Sequence, residues 1–157
     1  MAETEAAATH DNAAGIDSPL THYLGYAMKR ALSIVQADLS RVLAGFGLRA
    51  VSFSALSIIV ARPGLTQTQL ADALQIERSN LVTLIDELAG RGLIVRAPVA
   101  QDRRRHALMP TASGKKLAAE AKEGVTAHER ALFSCLTAQE QEDLRHMLTK
   151  FRQAVSA

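Results

Sequence analysis

The chain has 157 residues, of which 48% are hydrophobic and 22% charged, while aromatics reach only 4% and Trp is absent. This balance excludes an intrinsically disordered chain, and the length suits one domain with a real core. A formal net charge of +2 excludes a uniformly basic protein, so any case for nucleic acid rests on where the charge sits. The single cysteine, Cys135, rules out an intramolecular disulfide and fits a reducing cytoplasm. It has no basic residue beside it, which predicts a buried, inert thiol.

Residues 1–18 are acidic and Ala-rich, and lack an apolar run of signal-peptide length. They predict a flexible tail, or an arm that packs on a partner subunit. Pro19 marks a helix start, and Leu24, Ala27, Ala31, Ile34, Val35, Leu39 and Val42 recur every three or four residues. One amphipathic helix is therefore predicted over residues 20–43, ended by Gly45 and Gly47. A second covers 52–61, with Phe53, Leu56, Ile59 and Val60 as its buried stripe, and stops at Arg62–Pro63–Gly64.

Thr66 and Gln69 have the spacing of a capping box, opening a helix that turns Leu70, Ala71 and Leu74 inward. Residues 75–77 form a turn. The next helix, 78–91, buries Leu81, Leu84, Ile85 and Leu88, and Gly92 closes it. The period then changes. Residues 93–95 and 103–109 read as two antiparallel strands with a flexible tip over 97–102. Thr111 caps a helix over 112–133. Thr137 caps the last, with Glu140 completing a second capping box and Leu144, Met147, Leu148 and Phe151 facing inward. The result is a mainly α chain of six helices and one hairpin.

Two short helices at a tight turn, followed by a basic hairpin, suit a DNA-reading device. A helix entering the major groove presents its N-terminal residues to base edges. Here those are Arg78, Ser79, Asn80 and Thr83, all off the apolar stripe. Arg pairs bidentately with guanine, Asn with adenine, and Ser or Thr bonds either. Thr66, Thr68 and Gln69 stand where phosphates would be met. In the hairpin, Asp102 precedes Arg103, Arg104 and Arg105. Five arginines and one acid between residues 91 and 105 give a local charge of +4, so the remainder of the chain is net acidic. An arginine at the tip, Arg103 or Arg104, is suited to a narrow A·T-rich minor groove, and Asp102 to steadying its neighbour.

The run Leu70–Ala71–Asp72–Ala73–Leu74, the block containing Leu81, Asp86, Leu88, Gly92, Leu93, Ile94 and Arg96, and the wing Asp102–Arg103–Arg104 followed by Thr111 and Gly114 resemble the MarR family of winged helix-turn-helix transcriptional regulators. The resemblance covers nearly all of residues 20–155. Two positions depart from it. Pro110 replaces an aliphatic strand residue and is expected to shorten the second wing strand, and Glu77 takes the usual place of a small N-cap.

The resemblance implies a winged helix-turn-helix with a two-stranded β wing and an interleaved helical dimerisation domain. Within a domain over 19–157, residues 20–45 and 112–155 would form the dimer part and 50–111 the winged part. The partners implied are a second copy of the chain, a pseudo-palindromic DNA duplex and a small effector, with no membrane. An intramolecular bundle is the alternative for the long helices.

The resemblance also implies an effector site between the dimer and winged parts, where the matching region holds His22, Tyr23, Tyr26, Lys29, Arg30, Arg49 and Phe53. Tyr and Phe clamp an aromatic ring, and Lys or Arg holds a carboxylate or phosphate. An anionic aromatic effector, a phenolic acid or its coenzyme A thioester, follows. The alternative has both tyrosines in the dimer interface and the cations solvated. No cofactor is expected, and the scattered histidines show no metal-ligand spacing. The sequence carries no Gly-rich phosphate loop or nucleophile elbow, so an enzyme is not expected. A protein-docking or architectural use of the fold remains a further alternative.

Overall fold

The computed structural model describes residues 18–99 and 102–155, the side chains of 18, 99 and 102–106 excepted. The predicted tail thus lies outside the described residues. The chain divides into a first unit ending at Asp38 and a second, Leu39–Ala157. In the first, a 3-10 turn at Ser18–Leu20 precedes helix α1, Leu24–Ala44, whose last residues belong to the second unit. The helix starts four residues later than the pattern predicts. The Tyr23 carbonyl accepts the first helical bonds, from the N–H groups of Tyr26 and Ala27 at 3.0 and 3.1 Å. Its apolar stripe is not buried in the single chain: Leu24 and Ile34 are exposed, and Leu43 alone in α1 is buried.

The second unit continues with α2 (Ala50–Ala61), β1 (Leu65–Thr66), α3 (Gln67–Leu74), α4 (Arg78–Gly90), β2 (Ile94–Val99), β3 (Asp102–Pro110), α5 (Ala112–Leu132) and α6 (Ala138–Val155). The sheet has three strands in the order β1-β3-β2, all antiparallel. Two residues are too few to show alternation, so β1 is invisible in the sequence. It pairs Leu65 with Leu108 and Thr66 with Ala107, tying the start of α3 to the wing. The expected shortening at Pro110 does not occur. Strand β3 reaches Pro110 opposite Ile94, and the next donor along, Thr111 N–H, bonds Leu93 O at 3.0 Å. Strand β2 also runs on to Val99, into the stretch expected to be a flexible tip, with a register shift between Pro98 and Val99.

One core gathers Leu56 and Ile59 of α2, Leu70 of α3, Leu81, Ile85 and Leu88 of α4, Ile94 of β2 and Leu108 of β3, all at most 1% exposed. Burying side chains of this size stabilises by about 1.5–3 kcal/mol each. Gly114 marks where α5 meets the backbone just before β2. A Cβ there would stand 1.9 Å from the Leu93 carbonyl oxygen, so only glycine allows the approach. A smaller cluster joins Leu43, Leu48 and Ala121, with Phe46 and Phe53 half-buried against it.

Helix α6 buries no residue. Leu144, Met147, Leu148 and Phe151 form the predicted stripe, but they are exposed rather than inward. With Phe133 and Leu136 from the turn after α5, Leu144 and Leu148 line a groove of about 410 Å³. The predicted caps are present. Thr111 Oγ1 accepts from Gly114 N–H, and Thr137 N–H donates to Glu140 at 2.7 Å while Glu140 N–H donates to Thr137 Oγ1 at 3.3 Å. The bond from the Thr137 backbone, and then the one from its hydroxyl, hold the Glu140 carboxyl below its ordinary pKa, against slight desolvation. The expected burial of Cys135 is overturned: it is exposed, because it falls in the turn joining α5 to α6.

Candidate nucleic-acid interface and effector residues

Helix α3 is opened by a full capping box. Thr66 Oγ1 accepts from Gln69 N–H at 3.3 Å, and Thr66 N–H donates to Gln69 Oε1 at 2.8 Å. Both side chains are thereby committed to the helix end, leaving the exposed Thr68 as the more available of the three predicted phosphate contacts. Gln75 ends α3 in the left-handed region, at φ 53° and ψ 45°. That conformation costs a non-glycine residue about 1–2 kcal/mol. It is offset by the bond from Ile76 N–H to Ala71 O at 3.2 Å and by Leu74 and Ile76 packing on the core. This turn sets the angle between α3 and α4.

Helix α4 follows the predicted division. Leu81, Leu84, Ile85 and Leu88 are buried, and Arg78, Ser79, Asn80 and Thr83 are exposed. Glu77 occupies the N-cap without a side-chain cap bond, so its departure from the family pattern leaves the entrance amides to water or an anion. Val82 also lies on the exposed face, at 47% exposure. It is not among the base-facing residues that the sequence predicts. The signal was a β-branched apolar residue off the stripe, suited to a thymine methyl.

Two of the five arginines in the basic cluster have internal roles. Arg96 of β2 pairs with Asp86 of α4, bracing the wing against the helix. Arg91, just past α4, donates to Gly47 O at 2.6 Å and Phe46 O at 3.4 Å in the loop between α1 and α2. The surplus charge available to a polyanion therefore rests on Arg103, Arg104 and Arg105. Their side chains and that of Asp102 lie outside the described ones, but β3 places their backbone at the far end of the hairpin.

The predicted effector residues fall in both units. In the first, the His22 and Tyr23 rings pack with centroids 3.9 Å apart, Tyr26 is half-buried, and Lys29 and Arg30 are exposed. In the second, Phe53 is half-buried against Leu43, Leu48 and Ala121. Arg49 pairs with Glu87 of α4, which sets it beside the candidate DNA-reading helix. Among the described residues there is no cluster able to hold a metal ion, and no helix long and apolar enough to cross a membrane.

The second unit is a winged helix-turn-helix with a braced wing. The MarR family's sequence profile matches residues 46–105. The chain is similar to the transcriptional repressor CouR in two solved structures. In the one bound to a 23-mer DNA duplex, identity is 39%, the TM-score is 0.83, and the match covers 87% of this chain and 96% of that one. In the one bound to p-coumaroyl-CoA, the values are 38% and 0.75, with 82% and 91% covered. A transcriptional regulatory protein for the hcr operon of Thauera aromatica is 32% identical over 98 residues, 62% of this chain and 59% of that protein. The chain belongs to the MarR family of transcriptional regulators.

Proposed function

We propose that two copies of this chain form a cytoplasmic repressor of a pseudo-palindromic operator, released by a small anionic aromatic molecule, a phenolic acid or its coenzyme A thioester. The observation that carries the reading is the face of α4. Arg78, Ser79, Asn80 and Thr83 are exposed on a helix whose other side is locked by four buried side chains. Their chemistry suits base edges, and the wing arginines suit the adjacent minor groove. The likeness to CouR in complex with duplex DNA supports it. Pairing is supported by the exposed apolar stripes of α1 and α6 and by the groove between α5 and α6, which a partner's helix would cover. A two-fold axis then asks for a two-fold operator.

The effector class is supported by the packed His22–Tyr23 rings and by Tyr26, Lys29 and Arg30 in the first unit, and by the likeness to CouR in complex with p-coumaroyl-CoA. An aromatic acyl group would meet the rings, and its carboxylate or phosphates the cations. Selection of duplexes from a randomised pool tests the first part. The expected product is a symmetric sequence with half-sites about 10–10.5 bp apart or a multiple of that. Adding p-coumarate and p-coumaroyl-CoA to the selected complex tests the second. Release by neither would remove the effector class and leave the DNA reading standing, whereas enrichment of no symmetric sequence would remove the DNA reading itself.

A further inference from the structure

Arg49 precedes the first turn of α2, and its guanidinium pairs with Glu87 near the end of α4. Ser52, also in the first turn of α2, donates its hydroxyl to the other Glu87 oxygen at 3.3 Å. Glu87 is thus held by the residue that caps α2 and by one in its first turn, and it orients the guanidinium. The Arg49 side chain nevertheless stays 67% exposed. It borders a groove of about 330 Å³ whose lining includes Asn80 and Thr83 from the exposed face of α4, with Ile76 from the turn before it. A fixed, solvent-facing cation therefore flanks the side chains best suited to reading bases.

The width of the major groove gives that position its meaning. The groove is about 12 Å across, and an α-helix with its side chains about 10–12 Å, so a docked α4 fills it. The two phosphate strands then run along the flanks of the helix. A cation that shares a groove with Asn80 and Thr83 lies on a flank along which one of those strands would run. The Arg49 side chain is 67% exposed, against 34% for Arg96 in its pair with Asp86, so water screens the bond to Glu87 more and leaves part of the guanidinium open to a phosphate. Arg also carries five donors in a planar fork, more than one carboxylate occupies.

We propose that Arg49 is a further DNA-contacting residue that binds a backbone phosphate on the strand flanking α4, with Glu87 and Ser52 as positioning residues. The proposal rests on the DNA-binding reading and takes Arg49 out of the effector set expected from the sequence. The contact carries no base information, so it sets affinity and register alone.

The test measures binding of the wild type, R49A and R49K to the duplex that the wild type enriches from a randomised pool, as a function of salt. In R49A, affinity falls roughly tenfold near 0.15 M salt, equally for matched and mismatched duplexes. The slope of log affinity against log salt becomes shallower by about 0.9 per Arg49 lost, hence by about two in a dimer. R49K restores most of the slope, because the charge returns. An R49A protein with a lowered melting temperature but the wild-type slope would overturn the proposal and leave Arg49 as a latch between α2 and α4. A wild type that binds no duplex would overturn the DNA reading and this proposal together.

Discussion

The winged part and the long helices α1 and α6 solve the same problem in opposite ways. Between α2 and β3, every large apolar stripe finds its cover within the chain: Leu56, Leu70, Leu81, Ile85, Leu88 and Leu108 are sealed from solvent. In α1 and α6 the stripes are as regular, yet Leu24, Ile34, Met147 and Phe151 stand more than half exposed. A regular pattern thus announces a buried face without saying which molecule buries it. One region is a finished core, and the other is half of one.

Mutations sharpen that contrast. The largest expected effect is in the finished core. Leu88→Ala should destabilise the folded chain by about 2–5 kcal/mol, read by urea denaturation at fixed protein concentration, because the sealed cavity has little room to collapse. In the unfinished half, Phe151→Asp should leave the winged fold intact and raise the dimer dissociation constant on the order of 100-fold, read by sedimentation. Equal loss of fold in both variants would erase the distinction. Asn80→Ala should change neither fold nor pairing. Its expected cost is roughly 1–3 kcal/mol per base contact, with relaxed preference at one position in each half-site, read by competition among duplexes.

The smallest effect concerns pH. The bonds from Thr137 hold the folded pKa of Glu140 below its unfolded value. The carboxylate therefore supports the start of α6 at pH values above the unfolded pKa, and that support is lost as pH falls through the folded one. Melting curves of Glu140→Gln should show less acid sensitivity than the wild type over that window.

Much of this arrangement was legible because local chemistry and tertiary packing agree. Thr66 with Gln69 and Thr137 with Glu140 predict helix starts that the structure keeps, and the apolar spacing of α4 predicts both its buried face and its free one. What escaped depends on residues far apart in sequence. Strand β1 exists only because Leu65 and Thr66 find β3, some forty residues on. Arg91 and Arg96 read as DNA-facing charge until Gly47 and Asp86 are placed beside them. The pair between Arg49 and Glu87 likewise joins residues that no local pattern connects. The exposure of Cys135 was missed for the same reason, since a turn between helices is not visible from its immediate neighbours.

The claim on which the rest depends is that two chains clasp one symmetric duplex, each through the exposed face of its α4. Mass measurement of the complex on the enriched duplex, by light scattering at low ionic strength, tests it most directly. Two chains per symmetric duplex, with a sharply weaker complex on a single half-site, is the predicted result. One chain per duplex, or equal affinity for the half-site and the full site, would contradict it.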